Sequence, residues 1–321
     1  MNRRSLLCAL GAAACILFAP YVNGQRRIPT IGYLTLNAEG TQIEQGFREK
    51  LRELGYSEGS TIVIEWRRGR QAQLAALAWE LVQKPVDLIV TTGTPAARAA
   101  FEATATIPIV FASGAPVSVG LAISIAHPGR NATGVSILAS ELYPKRVEYL
   151  HLVAPRARRM AYIMNPANPI AAPQLEAVQG AAQELGLQLM RFDVRDPDEL
   201  DAALLAITRS KANTVLIGGD GYIYSNMAKI ARAVRKAKLP AISPYADSSS
   251  DGILMSFGVN TREVGYKMAV YADKILKGAK PADLPIEEIS TYKLIIDLRV
   301  ARELGIKVPQ DLLFRADEVI Q

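Results

Sequence analysis

One unit recurs along this chain: a short apolar run, a polar turn and a helix. Its clearest copy is Val86-Asp87-Leu88-Ile89-Val90, then Thr91-Thr92-Gly93-Thr94-Pro95, then the Ala-rich run from Ala96 to Ala105. The apolar run is short and bounded by turn residues, so it reads as a strand buried on both faces. Thr94 is a good N-cap and Pro95 a good first helical residue, which would leave backbone N–H groups pointing out of the turn. Strands joined through helices pair in parallel, because a parallel pair needs a long crossover.

The same reading predicts strands at 27–36, 61–66, 107–111, 131–137, 160–164, 187–194, 214–217, 239–243 and 252–257. Helices fall between them. Ile43, Phe47, Leu51 and Leu54 repeat at helical spacing behind a capping box, Thr41-Gln42-Ile43-Glu44, and Gly55 stops that helix. Val147, Leu150 and His151 mark a helix over 141–152, and Val264, Met268, Tyr271 and Ile275 mark a long one closed by Gly278. Two features recur in order at a similar offset. Glu53-Leu54-Gly55 returns as Glu184-Leu185-Gly186, and Ile107-Pro108-Ile109 returns as Leu239-Pro240-Ala241. Glu-Leu-Gly is also a common helix end and occurs again at Glu303-Leu304-Gly305. The ordered pair favours two similar lobes. The expectation is an α/β fold of two Rossmann-like lobes with parallel sheets. The first spans 27–140 with part of 255–321, the second 141–280, and 281–321 supplies a crossover and C-terminal elements. Lobes linked by several crossovers can close like a hinge.

Residues 1–24 read as a signal peptide. A basic Asn2-Arg3-Arg4 precedes an apolar run from Leu6 to Ala19, and Gly24 supplies the small residue at the cleavage site. The start also resembles a twin-arginine signal, and lipid attachment at Cys15 is the second option. Both cysteines, Cys8 and Cys15, lie here, so the mature chain has no thiol for a disulfide, a metal or a nucleophile. The net charge of +6 is spread among acidic residues with no basic block, which argues against nucleic acid.

Catalytic and metal signatures are missing. The two histidines, His127 and His151, are far apart, and no HExxH, GxSxG or phosphate loop occurs. Gly218-Gly219-Asp220-Gly221 has the form of a nucleotide loop used by some kinases, without a partner motif or a general base. A flexible strand-end turn is the plainer reading. No enzyme, metal or cofactor is expected.

What remains is a set of strand-end loops that parallel sheets would bring to one side. Asn37, Thr92, Gly93, Thr94 and Ser113 offer N–H groups and hydroxyls suited to a carboxylate. Asn165, Asn168, Asp220, Tyr222, Tyr245 and Asp247 offer acceptors suited to an ammonium and rings suited to an apolar group. Each alone could be an ordinary cap or surface residue.

The segments VTTGTPAARAA, IPIVFASGAPVSVGL, NATGVS, AYIMNPANP, LPAISPY, GILMSFGVN, DKILKGAKPADLPIE and LLFRADEVI together resemble the tryptophan/tyrosine-type ABC-transporter substrate-binding proteins. The resemblance runs from about Ile31 to the C-terminus. It implies a type I periplasmic-binding fold with three interlobe crossovers. It also implies delivery of a small solute to a membrane permease of an ABC importer, without chemistry on the solute. The chain departs from the family pattern at Ala115, where an Asp is common before Pro-Val, and at the Gly218–Gly221 loop. Both are binding-edge positions. The expected function is therefore an exported, periplasmic, monomeric receptor for a carboxylate-bearing solute: an amino acid, aromatic ones included, or a related acid. The alternative is a sensory module that presents its closed form to a membrane receptor or kinase.

Overall fold

Two sheets with helices on both faces account for the recurring unit. The computed structural model describes residues 27–137 and 140–321. The signal peptide expected at 1–24, with Cys8 and Cys15, lies outside the described residues.

The first part of the chain runs β1 (Thr30–Thr35), α1 (Gln42–Glu53), β2 (Val63–Arg68), α2 (Leu74–Val82), β3 (Leu88–Thr92), α3 (Thr94–Ala103), β4 (Ile109–Ser113) and β5 (Ala132–Ser136). A second series follows: α4 (Tyr143–Val153), β6 (Arg159–Met164), α5 (Ala171–Glu184), β7 (Gln188–Asp193), α6 (Pro197–Arg209) and β8 (Thr214–Ile217). It continues with α7 (Gly221–Ser225), α8 (Met227–Lys236), β9 (Ala241–Tyr245) and β10 (Met255–Val259). The chain ends with α9 (Thr261–Leu276), β11 (Glu287–Glu288), β12 (Lys293–Asp297), α10 (Leu298–Leu304), α11 (Gln310–Arg315) and β13 (Glu318–Ile320).

One sheet has the order β11-β5-β4-β3-β1-β2 and the other β13-β12-β10-β9-β8-β6-β7. Every pair in the first is parallel. The second is parallel except where β12 runs against β10. The chain crosses between sheets three times: after β5, after β10 and after β11. The resemblance implied that number.

Each central strand is buried on both faces, because apolar clusters lie on either side of its sheet. Ile31, Phe47, Val90 and Met268 share one side of the first sheet, and Leu34, Leu81, Ala97 and Phe111 the other. Met268 belongs to α9, which lies both in the stretch expected for the second lobe and in the one expected to return in part to the first. Its packing is against α1 and strands β3, β4 and β5 of the first sheet. Gly46 and Gly265 permit the close approach of the two helices. A Cβ on Gly265 would stand 2.0 Å from the Ile43 carbonyl oxygen, and one on Gly46 would stand 2.1 Å from that of Arg262.

Two expected caps are corrected. Thr41 precedes α1 but its hydroxyl makes no cap bond. Glu44, the supposed partner, turns instead to the Gly40 N–H at 3.1 Å and to the Arg68 guanidinium on β2. An ion pair to a neighbouring strand outcompetes the local box. At α3 the cap is Gly93, with φ +88°, and Thr94 is already helical.

Candidate functional site

The carboxyl ends of the parallel strands face each other across a cavity of about 70 Å³. Gly93, Thr94, Ala112, Gly114 and Ile137 line it from the first sheet and the adjoining crossover. Arg146, Asn168, Ile170, Gly219, Asp220, Gly221, Pro244, Tyr245 and Val259 line it from the second. The lobes meet at its margins. Ala38 N–H donates to Ser225 Oγ at 2.9 Å, and Gln71 Nε2 donates to the Ala167 carbonyl at 2.5 Å.

Asp220 is the most heavily bonded group in the wall. It caps α7: its Oδ1 accepts from the N–H groups of Tyr222 at 2.9 Å and Ile223 at 3.3 Å. Its Oδ2 accepts from the side-chain amides of Asn168 at 2.9 Å and Asn165 at 3.1 Å. Burial pushes this carboxyl above the usual range, and the amide donors pull against that shift. The Gly-Gly-Asp-Gly loop is equally committed. Gly219 N–H donates to Tyr143 Oη at 2.6 Å, so the donors a phosphate loop would present are directed inward.

Part of the Thr91–Pro95 turn is tied up, while the buried Thr91 hydroxyl has no hydrogen-bond partner. Gly93 N–H goes to the Ala112 carbonyl and Ala97 N–H to the Gly93 carbonyl, while Pro95 has none. The Thr94 hydroxyl accepts from Gly114 N–H at 3.2 Å and from Ser113 Oγ at 3.0 Å. It therefore laces the β3 and β4 loops together. Thr92 Oγ1 lies 2.5 Å from Thr35 Oγ1 and accepts weakly from Asn37 Nδ2 at 3.4 Å.

Of the residues singled out in the sequence, Gly93, Thr94, Asn168, Asp220 and Tyr245 line the cavity. Tyr245 Oη donates to the Asp220 carbonyl at 3.2 Å, and its ring packs 4.6 Å from that of Tyr224. Asn37, Thr92, Ser113 and Asn165 are buried behind the wall, and Asn37 Oδ1 is a buried acceptor with no hydrogen-bond partner. Tyr222 packs with the α6–α8 cluster, outside the cavity lining. Asp247 is also outside it, accepting from Tyr224 Oη at 2.5 Å and Thr261 Oγ1 at 2.9 Å beside the β10–α9 crossover. A half-buried carboxylate with two hydroxyl donors serves the crossover there.

Arg146 was missed by sequence reasoning. Only 2% exposed, it projects from α4 into the cavity wall. Its Nε donates to the Phe257 carbonyl at 2.8 Å, and its guanidinium lies 4.7 Å from the Tyr143 ring centroid. Burial lowers its pKa, yet an arginine stays charged. The signal was present: Tyr143, Arg146, Val147 and Leu150 share one helix face by their spacing and are all buried. A cation on an apolar face needs a reason to be there.

A sequence model described as "ABC transporter substrate binding protein" matches residues 38–320. The tyrosine-binding protein of Clostridioides difficile is 26% identical over 257 residues, covering 79% of this chain and 74% of that protein. Among solved structures, the ABC domain from Streptococcus pneumonia in complex with L-Trp has a TM-score of 0.81 at 27% identity, covering 91% of this chain and 99% of that one. A conserved domain protein from Vibrio cholerae has a TM-score of 0.82 at 26% identity, covering 91% and 100%.

Proposed function

The chain belongs to the ABC transporter substrate-binding protein family, whose members bind small solutes and work with ABC permeases, and from that premise we propose that it captures a small carboxylate-bearing solute for import. Such proteins are receptors and not enzymes. The observation that carries the carboxylate is Arg146, a buried guanidinium in the wall of the interlobe cavity. A guanidinium matches a carboxylate in shape and charge, and in a site withdrawn from water that match is strong. Thr94 and Ser113, read earlier as the anion edge, also fix the loop geometry around it.

The cavity favours a small solute. About 70 Å³ is less than half the ~150 Å³ that accepts benzene, so an aromatic side group requires the lobes to stand wider. Ile137, Ile170, Val259 and Tyr245 supply apolar wall for a short side chain. Closure over the solute is a shift of population toward the form in which Ala38 meets Ser225.

Among the described residues no helix is long and apolar enough to cross a membrane. Export to the periplasm rests on the basic-then-apolar leader, with lipid attachment at Cys15 as the second form.

The test is a thermal-shift screen of short aliphatic acids, aromatic acids and amino acids. A ligand at 100 times its Kd stabilises by about 2.7 kcal/mol. Arg146→Lys should keep the charge and the fold but lose the paired geometry, weakening binding of the best hit. A screen in which no carboxylate raises the melting temperature, or a hit unaffected by that substitution, removes the reading.

A further inference from the structure

The lobes touch through carbon as well as through hydrogen bonds. Ile170 stands at the N-cap of α5 in the second lobe and is only 5% exposed. Its δ-methyl lies against Gly114, in the loop after β4 of the first lobe. A Cβ on Gly114 would stand 2.7 Å from that methyl, well inside the roughly 3.5–4.0 Å at which carbons pack. The methyl therefore occupies the room that a side chain on Gly114 would need. Both residues line the cavity.

Neither backbone at this contact is loosely held. Ile170 N–H donates to Asn168 Oδ1 at 3.2 Å, and its carbonyl accepts from Gln174 N–H at 3.3 Å. The Asn168 amide in turn donates to Asp220 Oδ2 at 2.9 Å, which ties Ile170 to the cavity wall. Across the gap, Gly114 N–H donates to Thr94 Oγ1 at 3.2 Å, and its carbonyl accepts from Ser113 Oγ at 3.1 Å. With both backbones fixed, side-chain size decides the space between them: nothing on Gly114, and a branched, rotationally restricted group on Ile170.

Solute atoms that extend toward this contact compete with the δ-methyl for one place. Forcing an extra methylene into a packed interior costs more than its burial returns. A longer solute either displaces Ile170 or holds the lobes apart, and both weaken the closed complex.

We infer that Ile170 is the specificity-determining residue for solute length: its δ-methyl, seated on Gly114, ends the space open to the solute's carbon chain in the closed form. This rests on the carboxylate reading above and deepens it by adding a length limit to the class of acid. A smaller residue at position 170 lengthens the chain that fits, and a side chain on Gly114 shortens it.

Isothermal titration of the purified protein with two homologous series tests this. One runs through straight-chain acids from propanoate to heptanoate, the other through straight-chain L-2-amino acids from alanine to norleucine. Wild type should prefer one chain length within a series and lose about tenfold or more at the next. Ile170→Val removes the δ-methyl alone and should bind that next member about fourfold tighter than wild type does. Ile170→Ala should bind it about tenfold tighter and move the optimum to a longer chain. A wild type indifferent to length, or an optimum unchanged in both variants, overturns the inference and leaves the carboxylate reading standing. Silence from both series removes the carboxylate reading and this inference together. Gly114→Ala gives an independent readout. It should weaken the best solute about tenfold in wild type, yet less than about threefold in Ile170→Ala, where the methyl it meets is gone. An equal cost in both backgrounds shows that the two residues do not meet in the bound form, and removes Ile170 from the account.

Discussion

Gln71 reaches across the mouth of the cleft to Asn165: its Oε1 accepts from Asn165 Nδ2 at 3.1 Å, while that same amide donates to Asp220 Oδ2 at 3.1 Å. Gln71 Nε2 also donates to the Ala167 carbonyl, two residues on. One first-lobe side chain thus clasps the loop that holds the Asp220 cap. Two bonds at about 1 kcal/mol each are enough to shift an open–closed balance by tenfold or more. Gln71→Ala should raise the ligand dissociation rate by about tenfold while changing unfolding stability little, because each lobe keeps its own core. Stopped-flow release of a bound acid measures it. An unchanged rate would mean the clasp adds nothing to closure.

Asp247 gives a pH dependence of defined sign. Burial raises its carboxyl above the usual 3.8, while Tyr224 and Thr261 donate to it. Between the unfolded and folded values the native chain holds a proton that the unfolded chain has released. Native stability from this group is therefore fully present at low pH and lost as pH rises through that window. Asp247→Asn lacks the titration. The stability of wild type minus that of the variant, from urea unfolding at several pH values, should fall as pH increases above about 4. A difference that grows with pH contradicts the assignment.

The approach of α9 to α1 predicts a contrast between two glycines. A Cβ on Gly265 would stand 2.0 Å from the Ile43 carbonyl oxygen and 2.7 Å from the Phe47 nitrogen, both of them backbone atoms. Gly265→Ala should cost about 1–3 kcal/mol or more through forced separation of the helices. Gly180 lies in α5 with nothing within 4 Å of the same construction, so Gly180→Ala should gain up to about 1 kcal/mol from helix propensity. Chemical denaturation of the two variants tests both signs at once.

The order of strands and helices was legible because apolar runs and helical spacing depend on neighbours in sequence. The long helix at Val264, Met268 and Tyr271 was legible too, but its sheet was not. Which sheet it joins depends on the crossover after β10 and on Gly265 fitting against Ile43, a partner more than two hundred positions away. The site divided in the same manner. Strand-end loops were visible, yet Thr94 reads as a cap until Gly114 supplies it a better partner. Asp220 reads as a ligand group, and what the sequence does not show is that two asparagines and a helix start engage its oxygens in the cavity wall. Arg146 is an ordinary helical arginine by composition, and only its place between Tyr143 and Val147 on a buried face sets it apart.

The last prediction concerns Ala115, in the loop after β4 and next to Gly114 of the cavity wall. Its φ is +48°, in the left-handed region where a Cβ crowds the backbone. That conformation costs an alanine roughly 1–2 kcal/mol, whereas glycine adopts it freely and asparagine tolerates it through local hydrogen bonding. Glycine also loosens the unfolded chain by about 0.4–1 kcal/mol, which offsets part of the relief. Ala115→Gly should therefore stabilise by only about 0.5 kcal/mol. Ala115→Asn avoids the entropic offset and should gain as much or more. Because the Ala115 side chain is not part of the cavity lining, ligand affinity should stay within about twofold in both variants. Thermal melts and titrations of the two proteins check the pair of statements. A loss of stability in both variants would show that the methyl group makes a contact worth more than the strain it carries.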